Sequence, residues 1–150
     1  MVHQLLYIFI KSIALKDQWM PCGYHMNLDD GLITVSGTDA STFNELLCVG
    51  QDLLADPQFD PNLPHLVDLR GMQVQRDVQS SAALRHFTVK SYRPQVQSSV
   101  AVVVDDHLTN DLLAAIYHLV CTMEQTELFD HYDQAVKWLM RREFVAKALQ

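Results

Sequence analysis

Polar side chains that could do chemistry follow two apolar runs of the sequence. Asp68 and Arg70 end the first run, and Asp105, Asp106 and His107 end the second. If both runs are neighbouring strands of an open α/β sheet, these residues lie at the edge where such sheets bind ligands. Asp68 with either later aspartate could hold a hard cation such as magnesium through carboxylate oxygens. His107 could act as a general base.

The same residues also have a purely structural interpretation. Asp68 can pair with Arg70 or accept hydrogen bonds from nearby amides, and Asp105-Asp106 can end a strand and begin a turn. The sequence contains no GxGxxG, GxxxxGK[ST] or GxSxG motif, and its seven histidines form no HxxxH pair or Cys/His zinc spacing. We therefore predict no catalytic residue, no metal ligand and no cofactor, and keep the five residues as candidates for binding a ligand or a partner.

The second candidate group, Asp105, Asp106 and His107, follows the apolar run at residues 100–104, which positions it. This run has five consecutive apolar residues, four of them valine, and does not alternate between apolar and polar. A short apolar run bounded by polar residues is typical of a strand covered on both faces. Such strands belong to α/β sheets with parallel neighbours, so we expect helices above and below this one.

The remaining apolar patterns place the other elements around this strand. A hairpin with a turn at Asp29-Asp30-Gly31 opens the order, and helices alternating with strands imply parallel crossovers. The predicted fold class is α/β, a small mixed β-sheet of about five strands with four main helices packed on it. The predicted strands lie at 24–28, 32–37, 63–69, 99–104 and 127–129, and the helices begin near 38–41, 80, 109 and 130–133.

Two helix ends are predicted from proline. Asp56-Pro57 ends the first helix, and Arg93-Pro94 closes the second, because the residue before proline is pushed out of the helical region. Thr38, Asp39 and Ser41 are the candidate N-caps of the first helix.

Composition excludes several classes of partner. The chain has 150 residues, which suits one domain, and a net charge of −7, which argues against nucleic acid or an anionic membrane. Its three cysteines are widely spaced without a CxxC pair, so we predict a reducing, cytoplasmic location. Cys48 and Cys121 fall within helical patterns, where we expect them to be buried.

Residues 1–23 form a predicted N-terminal apolar extension, and residues 24–150 form the domain. The apolar stretch at 5–15 is shorter than the ~20 residues of a membrane span, and no signal-peptide cleavage pattern follows it. We predict an amphipathic helix docked on the domain or on a second copy. A membrane-surface helix is the alternative, although its polar face lacks the expected lysines and arginines.

Several segments between residues 24 and 144 together carry a family resemblance. They are Gly31-x-x-x-Val35-x-Gly37, Asp56-Pro57-x-Phe59, Leu66-Val67-Asp68-Leu69-Arg70-Gly71, Ser99-Val100-Ala101-Val102-Val103 and Phe129-x-x-Tyr132-x-x-Ala135-x-x-Trp138-Leu139. In this order they resemble the small SpoIIAA-like proteins related to STAS domains, sometimes grouped with the CRAL-TRIO lipid-binding fold. The resemblance implies a small mixed sheet with packed helices and mostly no assigned activity.

One feature of that group is not reproduced. STAS-type anti-sigma factor antagonists carry an Asp-Ser-Ser-Gly signature whose serine is phosphorylated at a helix start. Here the comparable region has Asp77, Ser80 and Ser81 without the motif. Ser80 and Ser81 are phosphorylation candidates, and both also suit a helix start without any modification.

Three functions stay open at this point. The first is a non-enzymatic regulatory or protein-interaction module that binds another protein or a second copy of itself as a homodimer. The second is a binder or carrier of a small apolar or lipid ligand, which the lipid-binding relatives imply. The third is a metal-assisted hydrolase using Asp68, Asp105 and His107.

Overall fold

One five-stranded mixed sheet organises the described part of the chain. A computed structural model describes residues 22–37, 41–72, 78–106, 114, 116–117, 120–121 and 124–148. The strands are β1 (Cys22–Asn27), β2 (Leu32–Gly37), β3 (His65–Asp68), β4 (Val100–Val103) and β5 (Thr126–Phe129). They lie in the order β1-β2-β3-β4-β5, with β1 and β2 antiparallel and the other pairs parallel. The predicted fold class and opening hairpin are therefore confirmed.

Three main helices accompany the sheet in the described part of the chain. They are α1 (Phe43–Ala55), α2 (Val78–Phe87) and α3 (Tyr132–Ala148). The described residues show three helices where four main helices are predicted, and most of the fourth, at 109–123, lies outside the described residues. Helical backbone is described there only at 114, 116, 117, 120 and 121. The N-terminal extension also lies outside the described residues, apart from the start of β1.

The β1–β2 turn forms as its residue types predict. Gly31 has a φ of 64°, a left-handed conformation that suits glycine. The Asn27 side-chain amide donates to the Asp30 carboxylate at 2.6 Å, and the Asp30 backbone amide donates to Asn27 Oδ1 at 3.2 Å. These bonds hold the chain reversal, so the antiparallel pair begins in local sequence.

Helix α1 has a well-defined start and end. Its N-cap is Thr42 and not Ser41, because Thr42 Oγ1 accepts from the Glu45 amide while Glu45 Oε2 accepts from the Thr42 amide, both at 3.1 Å. This reciprocal pair is a capping box. The helix ends at Asp56, whose extended backbone precedes Pro57, as predicted. The Tyr24 hydroxyl donates to Asp56 Oδ2 at 2.8 Å and ties this helix end to β1.

Strand β4 is buried on both faces. Val100 and Val102 belong to a core cluster with residues of α1 and α2, while Ala101 and Val103 pack in a separate cluster with Ala135 and Leu139 of α3. All four strand residues are buried. The predicted sandwich around residues 100–104 is confirmed, with α1 and α2 on one face of the sheet and α3 on the other.

The predicted end of the second helix at Arg93-Pro94 is wrong. After α2 the chain continues in a π-helical segment (Thr88–Tyr92) and then a single α-helical turn (Arg93–Gln95) that contains Pro94. Proline is tolerated in the first turn of a helix because its missing N–H has no intrahelical acceptor there. Tyr92, at the end of the π-helical segment, is buried.

The cysteines differ from their predicted burial. Cys48 and Cys121 are exposed, whereas Cys22 is buried at the start of β1. A helical pattern says only that a residue is on a helix, and Cys48 lies on the solvent side of α1. Within the described residues, no helix has the length and apolar character needed to cross a bilayer.

Candidate functional site

The carboxyl ends of β3 and β4 bring the predicted polar residues to one edge of the sheet. The two strands are parallel neighbours, with Asp68 opposite Val103. The backbone amide of Gly71 donates to Asp105 Oδ2 at 2.6 Å. Asp68 and Asp105 thus both lie at this edge, Asp68 bound to Arg70 and Asp105 bound to the Gly71 amide.

Asp68 is held by Arg70 at this edge. Arg70 Nε and Nη2 donate to the two oxygens of Asp68 at 2.9 and 2.8 Å, and the Arg70 backbone amide donates to Asp68 Oδ1 at 3.2 Å. This hydrogen-bonded carboxylate raises the pKa of Arg70. The guanidinium also lies 4.9 Å from the ring centre of Tyr132. Both Asp68 oxygens thus have a cation already, which leaves the carboxylate poorly disposed to bind a metal ion.

The other predicted candidates do not extend this arrangement. Asp106 is exposed, and His107 lies outside the described residues. Ser80 and Ser81 lie in the first turn of α2, as predicted. The described chain contains no group of three or more His, Cys, Asp or Glu residues placed to hold a metal ion. Through the hydrogen bond from the Gly71 amide to Asp105, this sheet edge fixes the loop around Gly71, whose φ is 77°.

A partly enclosed apolar cavity lies between the sheet and the α1–α2 pair. Its volume is about 90 Å³. From the sheet side, the wall consists of the strand residues Val35, Val67 and Val102 and of Leu69, which follows β3 directly. Helix α1 contributes Leu46, Gly50 and Leu53. The remaining described lining comes from α2, the π-helical segment and residue 116: Leu84, Phe87, Thr88, Tyr92 and Ile116.

Small side chains leave this volume unfilled. Three of the four sheet residues in the wall are valines, and Val67 is only half-buried although β3 is the central strand. Gly50 lets α1 and α2 approach, because a Cβ at this position would lie 2.6 Å from Phe87 Cε1. The helices therefore meet at Gly50 while the space between them and the valines stays open.

The described wall has two hydroxyl-bearing side chains, Thr88 and Tyr92. Thr88 Oγ1 donates to the Leu84 carbonyl oxygen at 2.8 Å. The Tyr92 hydroxyl lies 2.6 Å from His65 Nδ1. Both hydroxyls come from the π-helical segment, a distortion that is often found at functional sites.

His65 is fully buried beside Tyr92. Its ring packs edge-on against the rings of Phe59 and Tyr92, at centroid distances of 6.1 and 5.5 Å. Burial lowers the pKa of His65 from 6.5 to about 4, so the imidazole is neutral at pH 7. Burial likewise raises the pKa of Tyr92, so its hydroxyl keeps its proton. Among the described residues, His65 Nε2 has no hydrogen-bond partner.

Sequence reasoning missed this pair. His65 was only one residue of a predicted strand, and Tyr92 only the end of a predicted helix. Alternation along β3 does place residues 65, 67 and 69 on one face, which could have marked His65 as inward-facing. No local signal links it to a tyrosine 27 positions away.

Fold and cavity together define a mixed α/β protein with an apolar cavity on one face of its sheet. Comparison with protein-family models, with curated proteins and with solved structures finds no match to this chain. The resemblance to SpoIIAA-like and STAS proteins accordingly stays a prediction.

Proposed function

We propose that this protein binds a small apolar molecule in the cavity between the sheet and the α1–α2 pair. The supporting observation is the cavity itself, because protein interiors are normally packed as densely as organic crystals. If this volume of about 90 Å³ were fully closed to water, leaving it unfilled would cost about 2 kcal/mol of folding free energy at the ~24 cal/mol per Å³ of closed core cavities, and a partly open cavity costs less than that. A ligand that fills the space recovers part of that cost, and this recovery favours binding.

The size of the cavity selects among apolar ligands. Engineered apolar cavities of about 150 Å³ bind benzene or xenon. The present volume of about 90 Å³ is smaller but partly open, so it suits a noble-gas atom or a single five- or six-membered ring. It is too small for the acyl chain of a membrane lipid. Of the two ligand classes considered from the sequence, a small apolar molecule is therefore favoured over a lipid.

Binding can be tested by NMR on the isotopically labelled full chain. Benzene, added stepwise, should cause saturable shifts at amides around the cavity, including Gly50 and Thr88. Val67→Leu, which extends a side chain into the cavity, should weaken the binding. The matched control is Val136→Leu on α3, a partly buried position in the cluster on the other face of the sheet, and it should leave binding unchanged.

Absence of saturable shifts at the cavity amides, up to the solubility limit of benzene, would refute this function. Equal weakening by the Val67 and Val136 variants would show that the shifts report general loosening. The protein-interaction and hydrolase hypotheses stay predictions. The pairing of Asp68 with Arg70 weighs against the hydrolase.

A further inference from the structure

The hydrogen-bonding state of the two wall hydroxyls restricts what the cavity can recognise. A hydroxyl has one hydrogen to donate and two lone pairs that accept. Thr88 has already donated its hydrogen to the Leu84 carbonyl. Its oxygen therefore offers a ligand only an acceptor.

Tyr92 is in the same state, which follows from counting the groups around His65. If Tyr92 donates to His65 Nδ1, the proton of the neutral imidazole is on Nε2, and one buried donor lacks a partner. If Nδ1 donates instead, both the Nε2 lone pair and the Tyr92 hydrogen lack partners. Each buried group without a partner carries a desolvation cost, so the first arrangement is the more stable one. In the free protein the Tyr92 oxygen then also offers a ligand an acceptor, and Tyr92 could donate to a ligand only after the imidazole proton moved from Nε2 to Nδ1.

We propose that the cavity is selective for a small ring compound that carries one hydrogen-bond donor, an O–H or an N–H group. A ligand that reaches either hydroxyl oxygen meets an acceptor, and the rest of the described wall is apolar. A ketone, ether or furan-type oxygen loses its bond to water and gains a donor in exchange only if Thr88 gives up its bond to Leu84 or Tyr92 its bond to His65. This selectivity rests on the proposed function.

The experiment compares two five-membered rings of nearly equal size. Pyrrole presents an N–H donor where furan presents an oxygen acceptor. NMR titration of the full chain should give a dissociation constant for pyrrole about fivefold below that for furan, the contribution of one neutral hydrogen bond. Benzene is titrated in parallel as a ring without either group.

Two variants locate the acceptor. Thr88→Val and Tyr92→Phe each remove one hydroxyl while keeping the shape of the side chain. The variant that removes the contacted oxygen should reduce the pyrrole preference to parity or below, with furan and benzene binding unchanged. Because Tyr92→Phe also leaves His65 Nδ1 unpaired, unchanged benzene binding serves as its check for an intact cavity, and Thr88→Val tests the other oxygen without that complication.

The outcomes separate the two proposals. Benzene binding with furan equal to or tighter than pyrrole overturns the donor selectivity and leaves apolar binding standing. A pyrrole preference that persists when both hydroxyls are removed together also overturns it, because the acceptor would then lie elsewhere. Failure of all three rings to bind refutes the proposed function itself.

Discussion

Acid should destabilise this protein through one buried histidine. Burial lowers the pKa of His65 from 6.5 to about 4. Between these values the unfolded chain binds a proton that the folded protein excludes, so the free energy of unfolding falls as the pH falls. At about 1.4 kcal/mol per pKa unit, the loss across this window is about 3 kcal/mol. Above pH 6.5 His65 is neutral in both the folded and the unfolded protein, so its effect on the free energy of unfolding no longer changes with pH.

The perturbation that isolates this effect is the double variant His65→Leu with Tyr92→Phe. It replaces the hydrogen-bonded pair by apolar groups of similar shape, a change that costs little at pH 7. Urea denaturation at pH 7, 6, 5 and 4 gives the free energy of unfolding of both proteins. The wild-type protein should lose about 3 kcal/mol more than the variant across the window. Carboxylates contribute to both curves and cancel in the difference.

The control is His25→Gln on β1. His25 is exposed, so its surroundings change little on unfolding, and this variant should follow the wild-type curve. If the wild-type and double-variant curves run parallel from pH 7 to 4, His65 is not held as a buried neutral imidazole. The assignment of Tyr92 as the donor to Nδ1 would then fail as well.

Three further substitutions test the packing and the turns, each by urea denaturation. Gly50→Ala should have a net cost of about 0–2 kcal/mol, because the overlap of the new methyl group with Phe87 costs about 1–3 kcal/mol while alanine gains about 1 kcal/mol over glycine inside a helix; a net stabilisation would mean that α1 and α2 separate freely. Thr42→Ala removes the capping box and should cost about 1 kcal/mol, and an unchanged stability would show that another group caps α1. Gly71→Ala places a methyl group more than 4 Å from every atom of the described residues, so only its backbone conformation at a φ of 77° should count, at about 1–2 kcal/mol; a larger loss would point to a contact of the Gly71 loop beyond Asp105.

The sequence pattern predicted structure correctly where that structure depends on residues close together in the chain. The valine run predicted a strand covered on both faces, because a strand with one wet face alternates polar with apolar residues. Asp56-Pro57 predicted a helix end, because proline restricts the residue before it. The same rule failed at Arg93-Pro94, where the preceding π-helical segment lets the proline begin a new helical turn.

For the candidate site as well, the sequence predicts where residues lie in the fold but not which side chains they contact. The location of Asp68 and Asp105 at one edge of the sheet could be predicted, because the ends of neighbouring parallel strands meet there. Their partners could not, because the choice between binding a cation and binding Arg70 or the Gly71 amide is made by side-chain geometry.

The order of strands and helices, the hairpin and the sheet edge with the acidic residues can be predicted from the amino-acid sequence, since each follows from the periodicity and backbone preferences of adjacent residues. The contact of His65 with Tyr92, the approach of Gly50 to Phe87 and the cavity beneath three valines come from packing between distant elements. Those contacts join residues far apart in the chain, and they form only when the helices pack against the sheet.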